Sequence, residues 1–343
     1  VAACANASDC GIAAVLAYAT WSDALTLPLL FTLAGLHGAA RVFLGPSMSA
    51  IAPNIVPTAL LPRAIALSSI AWQGASVVGP AAGGFLFAET QWAPHAVTAG
   101  LLVCSALLVL SIRPVRAVQD DAPQHPIRQM IEGAQFTWRQ RFLLGCITLD
   151  LFAVLLGGAT AMLPVFARDI LMVGPEGLGI MRGAPALGAA VVAAWMAWRP
   201  LEHDVGKKML LAVVGFGLST IAFGLSTSFA FSVAMLALLG ASDMVSVFIR
   251  SSLVQLNTPD RMRGRVSAIS GLAISASNEL GEMQSGCGAA FLGAVGAVVF
   301  GGAGAIVVTV IWAVIFPELR RAKTFAPEFL PEDRLEAARS TPS

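Results

Sequence analysis

Residues 65–87, IALSSIAWQGASVVGPAAGGFLF, decide the fold class of this chain. The segment is long and apolar enough to cross a membrane, since a spanning helix needs about 20 largely apolar residues. Its second half contains Gly79, Pro80, Gly83 and Gly84. In water these residues would break a helix, because proline removes a backbone hydrogen bond and glycine costs conformational entropy. In a membrane, neighbouring helices satisfy the freed carbonyl and small residues let backbones approach closely, so the stretch predicts a bent, tightly packed helix.

The composition of the whole chain agrees with a membrane protein. Of its 343 residues, 57% are hydrophobic and 12% are charged, and the mean hydropathy is +0.77. A soluble domain carries about 25% charged residues, so this chain has too little polar surface for water. The predicted class is an all-α polytopic membrane protein built as a two-half helical bundle. The five cysteines show no CxxC or Cys/His spacing, so we expect no metal site, no disulfide framework and no cofactor.

Hydropathy predicts ten membrane-spanning helices. They cover residues 7–25, 29–51, 65–88, 93–112, 142–165, 178–198, 209–227, 229–254, 266–286 and 290–316. Within the long polar stretch between the fourth and fifth spans, residues 127–138 predict an amphipathic helix on the membrane surface. The predicted organisation is an N-terminal half with four helices (1–112), a linker (113–141), a six-helix C-terminal half (142–316) and a partly disordered tail (317–343).

The basic residues predict the orientation of these helices. If the helices alternate in direction, 17 of the 21 lysines and arginines fall on one side of the membrane. Arg168 and Arg182 fall on the other side, and Arg41 and Arg250 lie within helices. The positive-inside rule makes the basic side cytoplasmic, so the linker and the tail are predicted to lie in the cytoplasm.

An internal repeat relates the two halves. With an offset of 202 residues, the register holds from about residue 33 to about residue 86 without a gap. The matched pairs are Leu36/Leu238, Gly38/Gly240, Ala39/Ala241, Pro57/Pro259, Arg63/Arg265, Gly79/Gly281 and Gly84/Gly286. A parallel repeat of two membrane halves places a transport site between them. The hinge or close-packing positions that we expect are Gly79, Pro80, Gly83, Gly84, Gly281 and Gly286. Because the second half has six helices, the repeat also predicts two further helices before Val1, and twelve in the complete protein.

These features resemble the major facilitator superfamily. Arg41 and Gly45 match the motif of that family's fourth helix, and the glycine-proline group at 79–84 matches its fifth-helix antiporter motif. Residues 259–286, PDRMRGRVSAISGLAISASNELGEMQSG, look like the subgroup of the family that includes the enterobactin exporter. The chain departs from the family at Ala75, where the antiporter motif usually has glycine. The loop that carries the family's best-known gating motif is absent from this sequence.

The resemblance implies a monomeric secondary transporter in a bacterial cytoplasmic (inner) membrane. It would rock two halves about a central site and export a small amphipathic molecule, such as a siderophore or a drug, in exchange for protons. The expected partners are that molecule, protons and the lipid bilayer, without nucleic acid. A uniporter or importer of the same fold and a non-transporting membrane scaffold or receptor remain alternatives. No Ser/His/Asp arrangement or phosphate-binding glycine loop favours an enzyme or a built-in ATPase.

Charged residues within the predicted spans are the candidates for a substrate and proton pathway, because a charge in the bilayer costs about 3 kcal/mol or more. They are Arg41, Asp150, Asp243, Arg250, Glu279 and Glu282. Asp243 and Arg250 share a helix face about 10 Å apart, so each needs a partner on another helix or water. Glu279 and Glu282 are neighbours on one face, where one of the two can carry a proton. Each candidate has a structural alternative as an ion pair, a packing residue or a charge at the membrane interface.

Two other groups of polar residues carry expectations of their own. Arg261, Arg263 and Arg265 lie in a short predicted cytoplasmic loop, which favours a topology and gating signal over a nucleic-acid site. His37 is expected to be a packed residue and His95 an external loop residue.

Overall fold

The computed structural model of the chain describes residues 2–49, 61–111, 126–199 and 201–326. Within these ranges the chain is helical, and no strand is present. The helices are α1 (Ala2–Trp21), α2 (Leu27–Ser49), α3 (Leu61–Glu89), α4 (Ala93–Ser111), α5 (Pro126–Arg139), α6 (Arg141–Leu156), α7 (Gly174–Trp198), α8 (Val205–Gly224), α9 (Phe229–Leu256), α10 (Asp260–Ile315) and α11 (Pro317–Arg321). Three short helical segments, Ala159–Met162, Leu163–Val165 and Phe166–Ile170, follow α6. The predicted all-α class is confirmed.

Six helical stretches of the described residues are long and apolar enough to cross a membrane. They are Ala93–Ser111, Arg141–Ile170, Gly174–Trp198, Val205–Gly224, Phe229–Leu256 and Met262–Ile315. The last has 54 residues, which is enough for two crossings at about 1.5 Å per residue. Its backbone leaves the helical region at Gly293, with φ 71° and ψ 167°, near the junction of the predicted spans 266–286 and 290–316. The total of ten spans stays a prediction.

The helix predicted at 142–165 is interrupted. α6 ends at Leu156, and Gly157 and Gly158 separate it from the short helical segments that follow. Both glycines lie against neighbouring helices. A Cβ on Gly157 would be 2.6 Å from the Phe216 ring, and a Cβ on Gly158 would be 2.6 Å from the Gly281 carbonyl oxygen. Hydropathy could not predict this break, because it records apolar character and not the approach of another backbone.

The chain divides into two compact units. The first comprises Val1–Asp121 together with Gly174–Gly179, and the second comprises Ala122–Val173 and Ile180–Ser343. In the first unit α1 packs against α4 and α2. In the second unit α6 and α8 pack against α10, and α8 packs against α9. Buried apolar side chains from these helices form the core of the second unit, among them Leu143, Cys146, Met209, Ile249, Leu253 and Ala305.

The offset between the matched residues of the repeat reappears in the helix boundaries. α2 begins at Leu27 and α9 begins at Phe229, which is the same offset. α3 ends at Glu89, and the equivalent position, 291, lies just before the non-helical Gly293. The starts of α2 and α9 therefore agree with the register that the matched residues predict, and the end of α3 falls within two residues of the backbone break in α10.

Two segments outside the apolar helices pack within the second unit. The amphipathic segment predicted at 127–138 is α5, which lies against α10. The first part of the predicted tail also belongs to the fold: Leu319 and Ala322 are buried, and the Phe325 ring meets Phe248 edge-on, with 6.0 Å between ring centres. Residues 317–326 therefore form an ordered part of the predicted tail, because their apolar side chains have a core to enter. The rest of the tail lies outside the described residues.

Candidate functional site

α9 carries two charged residues in an otherwise uncharged helix. Asp243 and Arg250 lie on one face of it, two turns from each other. Nη1 of Arg250 forms an ion pair with Oδ1 of Asp150 on α6. The Arg250 and Asp150 side chains are 5% and 10% exposed. The partner that Arg250 needs on another helix is therefore Asp150.

Asp150 and Asp243 line one small cavity formed by α6, α8 and α9. The other residues of its wall are Ala153, Val154, Val213, Phe216 and Ser246. We call Asp150, Asp243 and Arg250 the charge cluster. It joins two carboxylates and one guanidinium in a mainly apolar surrounding. With all three groups ionised the cluster has one excess negative charge, and one bound proton makes it neutral, which is the cheaper state away from water.

Packing on both sides of Asp150 fixes the position of its carboxylate. Trp312 on α10 donates its Nε1–H to Oγ1 of Thr148 at 2.9 Å. The Trp312 ring also lies 5.2 Å from the Phe152 ring, measured between centres. Leu149 is almost completely buried. The acid is thus held on a helix that cannot turn without disrupting its contacts with α10.

Glu279 and Glu282 lie apart from this cavity wall. Both side chains are exposed on α10, and neither forms an ion pair with a described residue. Gly281, between them, is buried against α6, where a Cβ would be 2.9 Å from the Val154 carbonyl oxygen. The structure therefore places the two glutamates on a face of α10 that does not pack against α6. Their proposed role in proton transfer stays a prediction.

Close backbone approach occurs at one glycine of each repeated motif. In the first unit a Cβ on Gly84 would be 2.6 Å from the Pro175 carbonyl oxygen and 2.9 Å from Cα of Gly179. In the second unit the close approach is at Gly281, which is the repeat equivalent of Gly79 and not of Gly84. A Cβ would meet open space at the three remaining glycines, which are Gly79, Gly83 and Gly286. Pro80 lies inside α3.

The predicted gating loop is helical in the structure, because Arg263 and Arg265 lie in the first turns of α10, and this part of α10 contacts the linker helix α5. Nη1 of Arg265 forms an ion pair with Oε2 of Glu132 on α5. Nε of Arg263 donates to the Gln255 carbonyl oxygen at 3.2 Å. Two candidates cannot be placed in this way: the side chains of Arg41 and Arg261 lie outside the described part of the structure.

A further polar pair, which the sequence patterns did not single out, lies in the first unit. Asp9 on α1 is 5% exposed, and its Oδ1 lies 3.1 Å from Nδ1 of His37 on α2. One turn earlier on α1, Nδ2 of the buried Asn6 donates to Oγ of Ser105 on α4 at 3.0 Å. The available signal was that Asp9 is the only charged residue of α1. His37 is half-exposed at this contact, and His95 lies in the first turn of α4 and not in a loop.

Comparison with known sequences links the chain to membrane transporters. The model of the Major Facilitator Superfamily matches residues 10–282. The enterobactin exporter EntS of Escherichia coli O1:K1 / APEC is 27% identical over 298 residues, which cover 84% of this chain and 69% of that protein. EntS of Shigella boydii serotype 18 (strain CDC 3083-94 / BS512) is similar to the same extent.

Solved structures share the fold at low sequence identity. A mutant of the peptide transporter POT has a TM-score of 0.72 at 12% identity, covering 94% of this chain and 80% of that one. A mutant of the nucleoside transporter NupG has a TM-score of 0.63 at 14% identity, covering 93% of this chain and 83% of that one.

Proposed function

Because the chain belongs to the Major Facilitator Superfamily, we propose that it is a secondary active transporter that exports a small amphipathic molecule, such as a siderophore or a drug, in exchange for protons. The observation that carries this proposal is the charge cluster. Two carboxylates line one cavity among apolar helices, and one of them is paired with a buried guanidinium; ionisable residues within a membrane usually mark an ion or substrate pathway. Alternating access by two rocking halves supplies the movement.

A proton can act on the charge cluster through its ion pair. While Asp150 is ionised, it neutralises Arg250, and Asp243 is the group that takes a proton or a cationic part of the substrate. When a proton binds to Asp150 instead, the guanidinium is freed for Asp243 or for an anionic part of the substrate. Proton and substrate then compete for the same groups, which is the condition for exchange of one against the other.

The relatives support the direction and the substrate class. The curated proteins that match most of this chain are named as exporters of enterobactin. The solved structures are named as transporters of peptides and of nucleosides, so a shared fold does not select the substrate. Export of a siderophore-like molecule therefore rests on the sequence relatives and not on the fold. The distribution of basic residues supports a bacterial inner membrane orientation with α5 and α11 on the cytoplasmic side.

The proposal is tested with purified protein in sealed proteoliposomes and enterobactin as the probe. We expect an imposed pH gradient to drive enterobactin across the membrane, and Asp243→Asn to abolish the gradient-driven part. The matched control is Asp169→Asn, the same change at an exposed aspartate that pairs with Arg168.

Three results would overturn parts of the proposal. Transport that ignores a collapsed pH gradient would leave a uniporter, and gradient-driven movement towards the cytoplasmic side would make the protein an importer. No transport of enterobactin or of other siderophores and drugs by well-folded protein would favour the scaffold alternative.

A further inference from the structure

We propose that Asp9 and His37 form a proton-binding site in the first unit, in addition to the charge cluster of the second. The two side chains are in direct contact, with 3.1 Å between Oδ1 and Nδ1. Asp9 is buried, whereas His37 is 49% exposed. The imidazole therefore meets the buried carboxylate directly, which places an acid and a base where one proton can be shared between them.

The pair lies near the middle of both helices. Asp9 precedes the end of α1 at Trp21, and His37 follows the start of α2 at Leu27, in each case by about three helical turns. At about 1.5 Å per residue, both side chains are about 15–18 Å along the helix axis from these ends, which is half of a bilayer of about 30 Å if α1 and α2 cross the membrane as the sequence predicts. A carboxylate at that depth is expensive unless it is paired or protonated, and ionisable residues there are usually functional.

Of the described groups around Asp9, His37 is the one that contacts its carboxylate and can itself gain or lose a proton. α1 has no basic residue, and besides His37 and Arg41 of α2 the titratable groups on the helices packed against α1 are His95 and Cys104 of α4. His95 lies in the first turn of α4, far along the helix from Ser105. Cys104 is exposed, and Cys10 donates to the Ala99 carbonyl oxygen at 3.6 Å. Arg41 follows His37 by one helical turn in the sequence, and its side chain lies outside the described part of the structure.

The chemistry of the pair gives it a charged and an uncharged state that differ by one proton. Histidine is the side chain that ordinarily changes charge between about pH 5 and pH 8. With one proton the pair is neutral overall, either as an ion pair or as two uncharged groups. Without that proton the carboxylate is left ionised and buried against a neutral imidazole. Loss of the proton therefore destabilises the α1–α2 contact, which couples protonation to the packing of the first unit.

The first experiment observes the proton site without any substrate. The chain has four histidines, and replacing His95, His125 and His203 by Gln leaves His37 as the single histidine. In ¹⁵N-histidine NMR spectra of this variant, we expect the His37 signal to change within about pH 5 to pH 8. We also expect Asp9→Asn to move the midpoint of that change. A His37 signal that stays constant across the range, or a midpoint that Asp9→Asn does not move, would overturn the proposal.

The second experiment asks whether this proton is coupled to transport, and it rests on the proposed function. The readout is the steady-state accumulation ratio of enterobactin in proteoliposomes, with an imposed gradient of one pH unit and the membrane potential held at zero. Each coupled proton contributes about a factor of ten to that ratio. Asp9→Asn and His37→Gln are therefore expected to lower the ratio about tenfold, and Asp9→Glu to retain it.

Controls separate coupling from packing. Asn6→Ala removes a buried polar contact one turn away on the same helix, so it is expected to slow transport at most and to leave the ratio unchanged. An unchanged ratio in Asp9→Asn would overturn the coupling role. If the wild-type ratio itself does not respond to the pH gradient, the proposed function fails, and the NMR result still decides whether the pair binds a proton.

Discussion

Arg250 on α9 and Asp150 on α6 form an ion pair whose side chains are 5% and 10% exposed. Removal of one partner from such a pair leaves a buried charge without compensation, which typically lowers the free energy of unfolding by about 3–5 kcal/mol. We expect Asp150→Asn to lower the thermal unfolding midpoint of the purified protein far more than Asp169→Asn. The exposed Arg168–Asp169 pair provides that control, because exposed pairs contribute only about 0–1 kcal/mol.

A double variant separates stability from function at the same pair. Asp150→Leu combined with Arg250→Met replaces both charges by apolar side chains, which is often neutral or stabilising at buried sites. We expect this variant to unfold near the wild-type temperature and to have lost gradient-driven transport. If the double variant kept both the wild-type unfolding temperature and gradient-driven transport, the pair would serve packing alone. Loss of both would show that the polar contact itself specifies the fold of the second unit.

Part of the fold and of this site could be predicted from the sequence. Apolar stretches predicted the helices, the polar linker predicted α5, and the repeat predicted that α2 and α9 begin at equivalent positions. The cost of a charge in the bilayer predicted that Arg250 has a partner on another helix. The identity of the partner could not be predicted. Asp150 lies 100 residues earlier in the chain, and its contact with Arg250 depends on how α6 packs against α9. Asp9 was missed for the same reason, because its contact with His37 depends on how two helices pack.

The close approach of α10 to α6 makes Gly281 sensitive to the smallest side chain. A Cβ there would be 2.9 Å from the Val154 carbonyl oxygen, and backbone cannot yield as a flexible side chain does. We expect Gly281→Ala to lower the free energy of unfolding by about 1–3 kcal/mol. Gly286→Ala and the repeat-equivalent Gly79→Ala are matched controls, because a Cβ would meet open space at both. Thermal unfolding of the three variants measures this, and equal midpoints would contradict a packing role specific to Gly281.

The linker helix α5 is held on α10 by packing more than by charge. Arg265 and Glu132 are partly exposed, so their ion pair is worth about 1 kcal/mol at most. At Gly133 a Cβ would be 2.9 Å from the Arg265 carbonyl oxygen. We expect Gly133→Ala to speed tryptic cleavage after Arg139 by about 5- to 30-fold, the equivalent of about 1–2 kcal/mol, and Glu132→Gln to have a much smaller effect. Gly264→Ala, at open space beside Arg265, is the control. If Glu132→Gln accelerated the cleavage more than Gly133→Ala, the ion pair would contribute more than packing to holding α5 on α10.

The segment that follows α10 packs against the first residues of α8 at Gly206. A Cβ on Gly206 would collide with the Leu319 carbonyl oxygen, and the Gly206 N–H donates to the Ala322 carbonyl oxygen at 2.9 Å. Leu319 is completely buried, so Leu319→Cys reports whether the segment is docked. With the exposed Cys104 and Cys287 replaced by Ser, we expect slow maleimide labelling of that cysteine, and labelling accelerated about 5- to 30-fold by Gly206→Ala. Gly264→Ala should leave the labelling slow, since a side chain there meets open space. Slow labelling in Gly206→Ala as well would mean that the segment is held by Phe325 and the core, and not by the backbone contact at Gly206.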